Sequence, residues 1–76
     1  MDKYELQQGL EAELSFIGEE RQVNNAQAMI EITIDEYEFT NQDEAAVESV
    51  IADSNWELEG IQFDGNTQKH YMYFER

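Results

Sequence analysis

The chain has 76 residues, with 18 Asp and Glu against 4 Lys and Arg, a formal net charge of -14 and no cysteine. That length holds one small domain, residues 1–76, near the lower limit for a single hydrophobic core, and the missing cysteines exclude a disulfide scaffold and thiolate metal sites. With four basic residues, Lys3, Arg21, Lys69 and Arg76, direct nucleic-acid binding is disfavoured.

The charge is extreme for the size. Small designed domains aim for a magnitude of about 2 to 8, and a larger excess destabilises the compact state unless ions screen it or a cationic partner offsets it. Nine aromatics and 41% apolar residues in periodic patterns argue for a folded domain rather than a charged disordered chain. MDKYELQQG at the N-terminus has neither the basic start nor the apolar run of a signal peptide, and no stretch approaches a membrane span. A soluble, cytoplasmic protein is expected.

Residues 2–17 satisfy two templates. Tyr4, Leu6, Leu10, Ala12, Leu14 and Phe16 fall on even positions, as in a strand bent at Gly9, while Leu6, Leu10, Leu14 and Ile17 also make a helical stripe. The strand template accounts for more apolar residues, so a strand is expected here and a helix over 3–17 is the alternative. Residues 18–28, GEERQVNNAQA, are polar without a period and read as a long loop.

Met29 to Phe39, MIEITIDEYEF, has the clearest strand pattern: Ile30, Ile32 and Ile34 share one face, and Glu31, Thr33 and Asp35 the other. The parity changes at Tyr37 and Phe39, which predicts a bulge at Asp35-Glu36. Asn41 to Ser54 predicts a helix with Asn41 as N-cap, Glu44 completing a capping box, and Ala46, Val47, Val50 and Ile51 as its apolar face. Asp53 opposes the helix dipole, and Asn55 is expected as a left-handed stop. The rest predicts a hairpin with a bulge at Gly60, a turn at Asp64-Gly65-Asn66 and a last strand over 67–74. The fold class is therefore α+β, a small antiparallel sheet with one packed helix in ββαββ order, or αβαββ if the first segment is helical.

On this assignment Glu11 and Glu13 lie beside Glu31 and Asp35 on the solvent face, since neighbouring strands are about 4.8 Å apart. Glu36, Glu38, Glu57 and Glu59 extend the row. Like charges across strands are destabilising, so stability alone would not select this pattern. A surface with the charge density of a nucleic-acid backbone fits a groove that binds phosphates through Lys and Arg. In the last strand Tyr71 and Tyr73 take one face and His70, Met72 and Phe74 the other, so apolar side chains would remain for an interface or for self-association as a homodimer. Catalysis is not expected, because a chain this short has little interior in which to separate the pKa values of paired carboxylates. His70 has no second ligand for a metal, and no cofactor motif occurs.

The acidic IEITIDEYEF, the Glu11 to Glu13 EAE and the Trp56 to Gly60 WELEG within one small domain resemble the small acidic inhibitors that phages make against host defence, anti-CRISPR and DNA-mimic anti-restriction proteins among them. The resemblance implies a protein-protein inhibitor, not an enzyme, acting in the host cytoplasm on a basic nucleic-acid-binding partner such as a nuclease or CRISPR effector. Charge placement makes Glu31, Asp35, Glu36 and Glu38 the expected centre of contact, Glu11, Glu13, Glu57 and Glu59 its flanks, and Met72 and Phe74 its apolar anchors. An immunity protein that occludes a basic toxin site, and a non-catalytic oligomeric domain whose acidity serves solubility, are the alternatives.

Overall fold

A computed structural model describes residues 1–34 and 38–76. Six elements follow in the order αββαββ: α1 Lys3–Glu13, β1 Ile17–Asn24, β2 Gln27–Ile32, α2 Asn41–Ile51, β3 Glu57–Asp64 and β4 Lys69–Glu75. The strands form one antiparallel sheet in the order β1-β2-β4-β3, so two αββ halves meet along the central β2 and β4. The expected α+β class with an antiparallel sheet stands. The ββαββ order does not, because there are two helices.

The first correction is α1. Asp2 caps it: its side chain accepts a hydrogen bond from the Glu5 backbone N–H, and the Glu5 side chain accepts one from the Asp2 N–H. Leu6, Leu10 and Leu14 are spaced by one helical turn and are buried, whereas Tyr4 and Ala12, which the strand template places in the core, are exposed. Gly9 marks no bulge. A Cβ there would sit 2.9 Å from Val50 Cγ1, so the glycine lets α1 approach α2. Gly9→Val is expected to lower stability by about 1–3 kcal/mol through overpacking. Thermal unfolding followed by circular dichroism measures this, and an unchanged midpoint would contradict the close approach.

The polar stretch after α1 is also not a loop. It forms the edge strand β1, pairs with β2, and turns at Asn25-Ala26, where the Asn24 side chain accepts from the Ala26 N–H at 2.8 Å. An edge strand needs few apolar residues, and Ile17 is the one that packs against the core. β2 is shorter than expected and ends at Ile32. Ile30 and Ile32 are buried and Ile34 is 47% exposed, while the bulge expected at Asp35-Glu36 lies outside the described residues.

In α2 the cap is Thr40 with Asp43, one residue before the expected Asn41 with Glu44. Thr40 and Asp43 bond reciprocally, which satisfies two donors of the first turn. The expected apolar face does pack: Val47 and Ile51 are buried, with Ala46 and Val50 beside them. Asn55 is not a left-handed stop, since among the described non-glycine residues Gln68 has the positive φ, 60°. Gln68 also closes the last hairpin, which places the left-handed turn residue later than the expected Asp64-Gly65-Asn66. The bulge beside Gly60 is present, with register slipping between Leu58 and Gly60.

Both helices cover the sheet face that carries Ala28, Ile30, Ile32, Met72 and Phe74. Trp56 closes the core at the chain ends. Its indole N–H donates to Met1 O at 3.0 Å and the Arg76 guanidinium lies 4.5 Å from its ring. Arg76 also donates to Asn25 O and Met1 O at 2.8–3.0 Å, tying the C-terminus to the first hairpin and the N-terminus.

Candidate functional site

The site is defined by where the few cations go. Arg21 on β1 and Lys69 on β4 converge on one carboxylate, Glu31 on β2, at 3.5 and 2.5 Å. Glu31 lies on the sheet face without helices yet is 5% exposed, because both cations lie over it. Arg21 also stands 5.9 Å from the Tyr71 ring centroid. Arg76 is taken by backbone carbonyls and Trp56, and Lys3 stands 5.4 Å from the Tyr4 ring. Two of the four cations therefore serve one carboxylate. Among the described residues, the two side-chain ion pairs of Arg21 and Lys69 both fall on Glu31.

The ammonium of Lys69 is held above its ordinary value, first by its hydrogen bond to Glu31 and then by the charge of that carboxylate. A raised lysine contributes stability at pH values below the unfolded value of 10.5, and that contribution is lost as pH rises through the higher folded value. The wild-type melting temperature is therefore expected to exceed that of Lys69→Met at neutral pH, with the two converging in strong alkali. Parallel curves across that range would contradict the linkage.

The expected partner-binding residues do not form one array. Glu11 and Glu13 are exposed on α1, not on a strand beside Glu31, because the segment is helical. Glu38 is exposed, and Asp35 and Glu36 lie outside the described residues. Met72 and Phe74, expected as apolar anchors, are 0% and 1% exposed. Their parity on β4 faces the helices, so they are core residues and not surface anchors.

Glu57 and Glu59 are both exposed on β3, and the fold adds two carboxylates near them. Glu75 lies directly across from Glu57 in the β3-β4 register. Glu48 shares with Glu57 an open cleft of about 600 Å³ between the end of α2 and the start of β3, whose wall includes Leu58 and Trp56. A second groove of about 360 Å³ holds Glu59 and Glu75 together with Val23, Gln27 and Tyr73. The two hollows draw on consecutive residues of β3, Glu57 and Leu58 for the first and Glu59 for the second, and four carboxylates border them. A directly opposed Glu57-Glu75 pair costs on the order of 0.2–1 kcal/mol, so packing alone does not explain it.

Sequence reasoning missed Glu75 and Glu48 for different reasons. Glu75 could have been found from the hairpin, since the turn and the bulge fix its register opposite Glu57. Glu48 needed the packing of α2 on β3, which no local pattern states. The arrangement suits binding of cationic side chains, with carboxylates bordering both hollows and apolar groups in the wall of the groove beside Tyr73. Among the described residues no group of three or more His, Cys, Asp or Glu side chains is arranged to hold a metal ion, and no helix is long and apolar enough to cross a membrane.

No protein-family model matches the chain, and neither a curated protein nor a solved structure matches it significantly.

Proposed function

We propose that this chain is a non-catalytic acidic inhibitor that docks on the basic groove of a nucleic-acid-binding protein, a nuclease or CRISPR effector, and keeps DNA or RNA out of it. The observation that carries the reading is the carboxylate-rich end of β3: Glu48 and Glu57 border one hollow, Glu59 and Glu75 another, and among the described residues none of the four is paired with a cation. A groove built to neutralise phosphates presents Lys and Arg at close spacing, and a rim of carboxylates competes for the same charges. The long-range field of a chain with net charge -14 speeds the encounter, while the apolar wall that Val23 and Tyr73 give the second groove lengthens the contact. The likeness to acidic phage inhibitors points the same way, and with it the host cytoplasm as the place of action.

The test is displacement of fluorescein-labelled DNA or RNA from such proteins, followed by anisotropy at low and at physiological salt. Stoichiometric displacement that weakens with salt is expected. Binding that leaves the nucleic acid in place would contradict the reading.

A further inference from the structure

We propose that the groove over Tyr73 receives an arginine side chain of the partner. The proposal rests on the docking role above and goes further by naming a residue type and its seat.

The first support is how the groove is made. Both edge strands lose register at the same end of the sheet, β1 between Gln22 and Asn24 and β3 between Leu58 and Gly60. The residues at the two irregularities are Val23 and Glu59, and both line the groove. Bulges re-aim side chains, so two breaks in regular pairing together supply an apolar wall and a carboxylate rim. Val23 is left 52% exposed, among the large hydrophobic side chains that the fold leaves at the surface. Between the two edges stand Tyr73 and Glu75 of β4.

The second support is a comparison within β4. Tyr71 and Tyr73 are two residues apart and face the same side of the sheet. Tyr71 already has an arginine: the Arg21 guanidinium stands over its ring and pairs with the neighbouring Glu31. Tyr73 has a half-buried ring and two carboxylates, Glu59 and Glu75, along its groove. Among the described residues no Lys or Arg stands over that ring or pairs with either carboxylate. The aromatic and acidic parts of the internal Arg21 site recur without the cation. Arginine suits the groove better than lysine, because its planar head stacks on an aromatic ring while its donors fork to carboxylates, and its stem can cover Val23.

The experiment titrates the ¹⁵N-labelled full chain with the blocked tripeptide acetyl-Gly-Arg-Gly-amide at low salt, beside its lysine and citrulline counterparts. Saturable shifts at Val23, Gln27, Tyr73 and Glu75 are expected, several-fold tighter for arginine than for lysine and absent for citrulline. Tyr73→Leu should abolish them, and the Glu59→Gln/Glu75→Gln variant, which leaves the ring and its packing untouched, should do the same. Shifts spread evenly over the exposed carboxylates, equal response to lysine, or survival of the shifts in both variants would overturn the proposal. Displacement of nucleic acid without groove shifts would overturn the groove alone. Groove shifts without any displacement would support the groove and overturn the docking role.

Discussion

Phe74→Ala is expected to lose about 3–5 kcal/mol of stability, the usual range for truncating a buried phenylalanine. Phe74 is 1% exposed and sits in register with Ala28 on β2 and Leu58 on β3, on the face that the helices cover. A 76-residue domain has a total stability of roughly 4–11 kcal/mol, so the loss would take a large part of it. The melting temperature should fall by roughly 12–40 °C, at about 4–8 °C per kcal/mol for a domain of this size. Were Phe74 an exposed anchor, the same substitution would leave melting unchanged and weaken binding only. Thermal unfolding separates the two outcomes, with Tyr73→Leu on the opposite face as the comparison.

The second large effect is on binding. Reversing Glu57, Glu59 and Glu75 to lysine together should weaken partner binding by about 100-fold, taking roughly 1 kcal/mol for each attraction turned into repulsion and 1.4 kcal/mol per tenfold. These carboxylates are exposed, so the fold should tolerate the change. It does not relieve the like-charge opposition at positions 57 and 75, because the new lysines face each other in turn. Anisotropy displacement measures the affinity, and melting temperature checks the fold. An affinity within threefold of wild type, a difference of roughly 0.65 kcal/mol, would be too small for a contact centred on β3.

The sequence carried the second half of the fold better than the first. α2 has one apolar face and a capping signal, and the β3-β4 hairpin keeps its alternation on both sides of the Gly60 bulge, so neither had a serious competitor. In α1 the even spacing of Leu6, Leu10 and Leu14 satisfied both periods, and what decided it was the capping by Asp2 and Glu5 together with the space that Gly9 leaves for Val50. β1 was hidden because an edge strand paired on one side needs only Ile17 in the core. β4 is apolar on both faces, so its pattern alone did not choose between Met72 with Phe74 and Tyr71 with Tyr73. The second helix made the choice by completing the cover over one face.

The acidity of the chain is legible in the sequence, and its distribution over the fold is not. Total charge is a property of composition, but its distribution depends on which cations are used internally. That Arg21 and Lys69 both spend themselves on Glu31 follows from the order β1-β2-β4, which brings residues 21, 31 and 69 together. Without that order Glu31 looked like one carboxylate in an open row. Glu57 and Glu59 are exposed on β3, the hairpin register places Glu75 across from Glu57, and the packing of α2 brings Glu48 to the same cleft as Glu57.

The central claim is that binding depends on where the charge lies and not on its sum. It is tested by comparing Glu57→Lys/Glu59→Lys/Glu75→Lys with Glu11→Lys/Glu13→Lys/Glu19→Lys, two variants with the same change in net charge, in the nucleic-acid displacement assay. Glu11, Glu13 and Glu19 are exposed on α1 and β1, the opposite edge of the sheet from β3. The β3 variant is expected to lose displacement and the α1-β1 variant to keep most of it; equal losses in the two would contradict a contact set by charge placement.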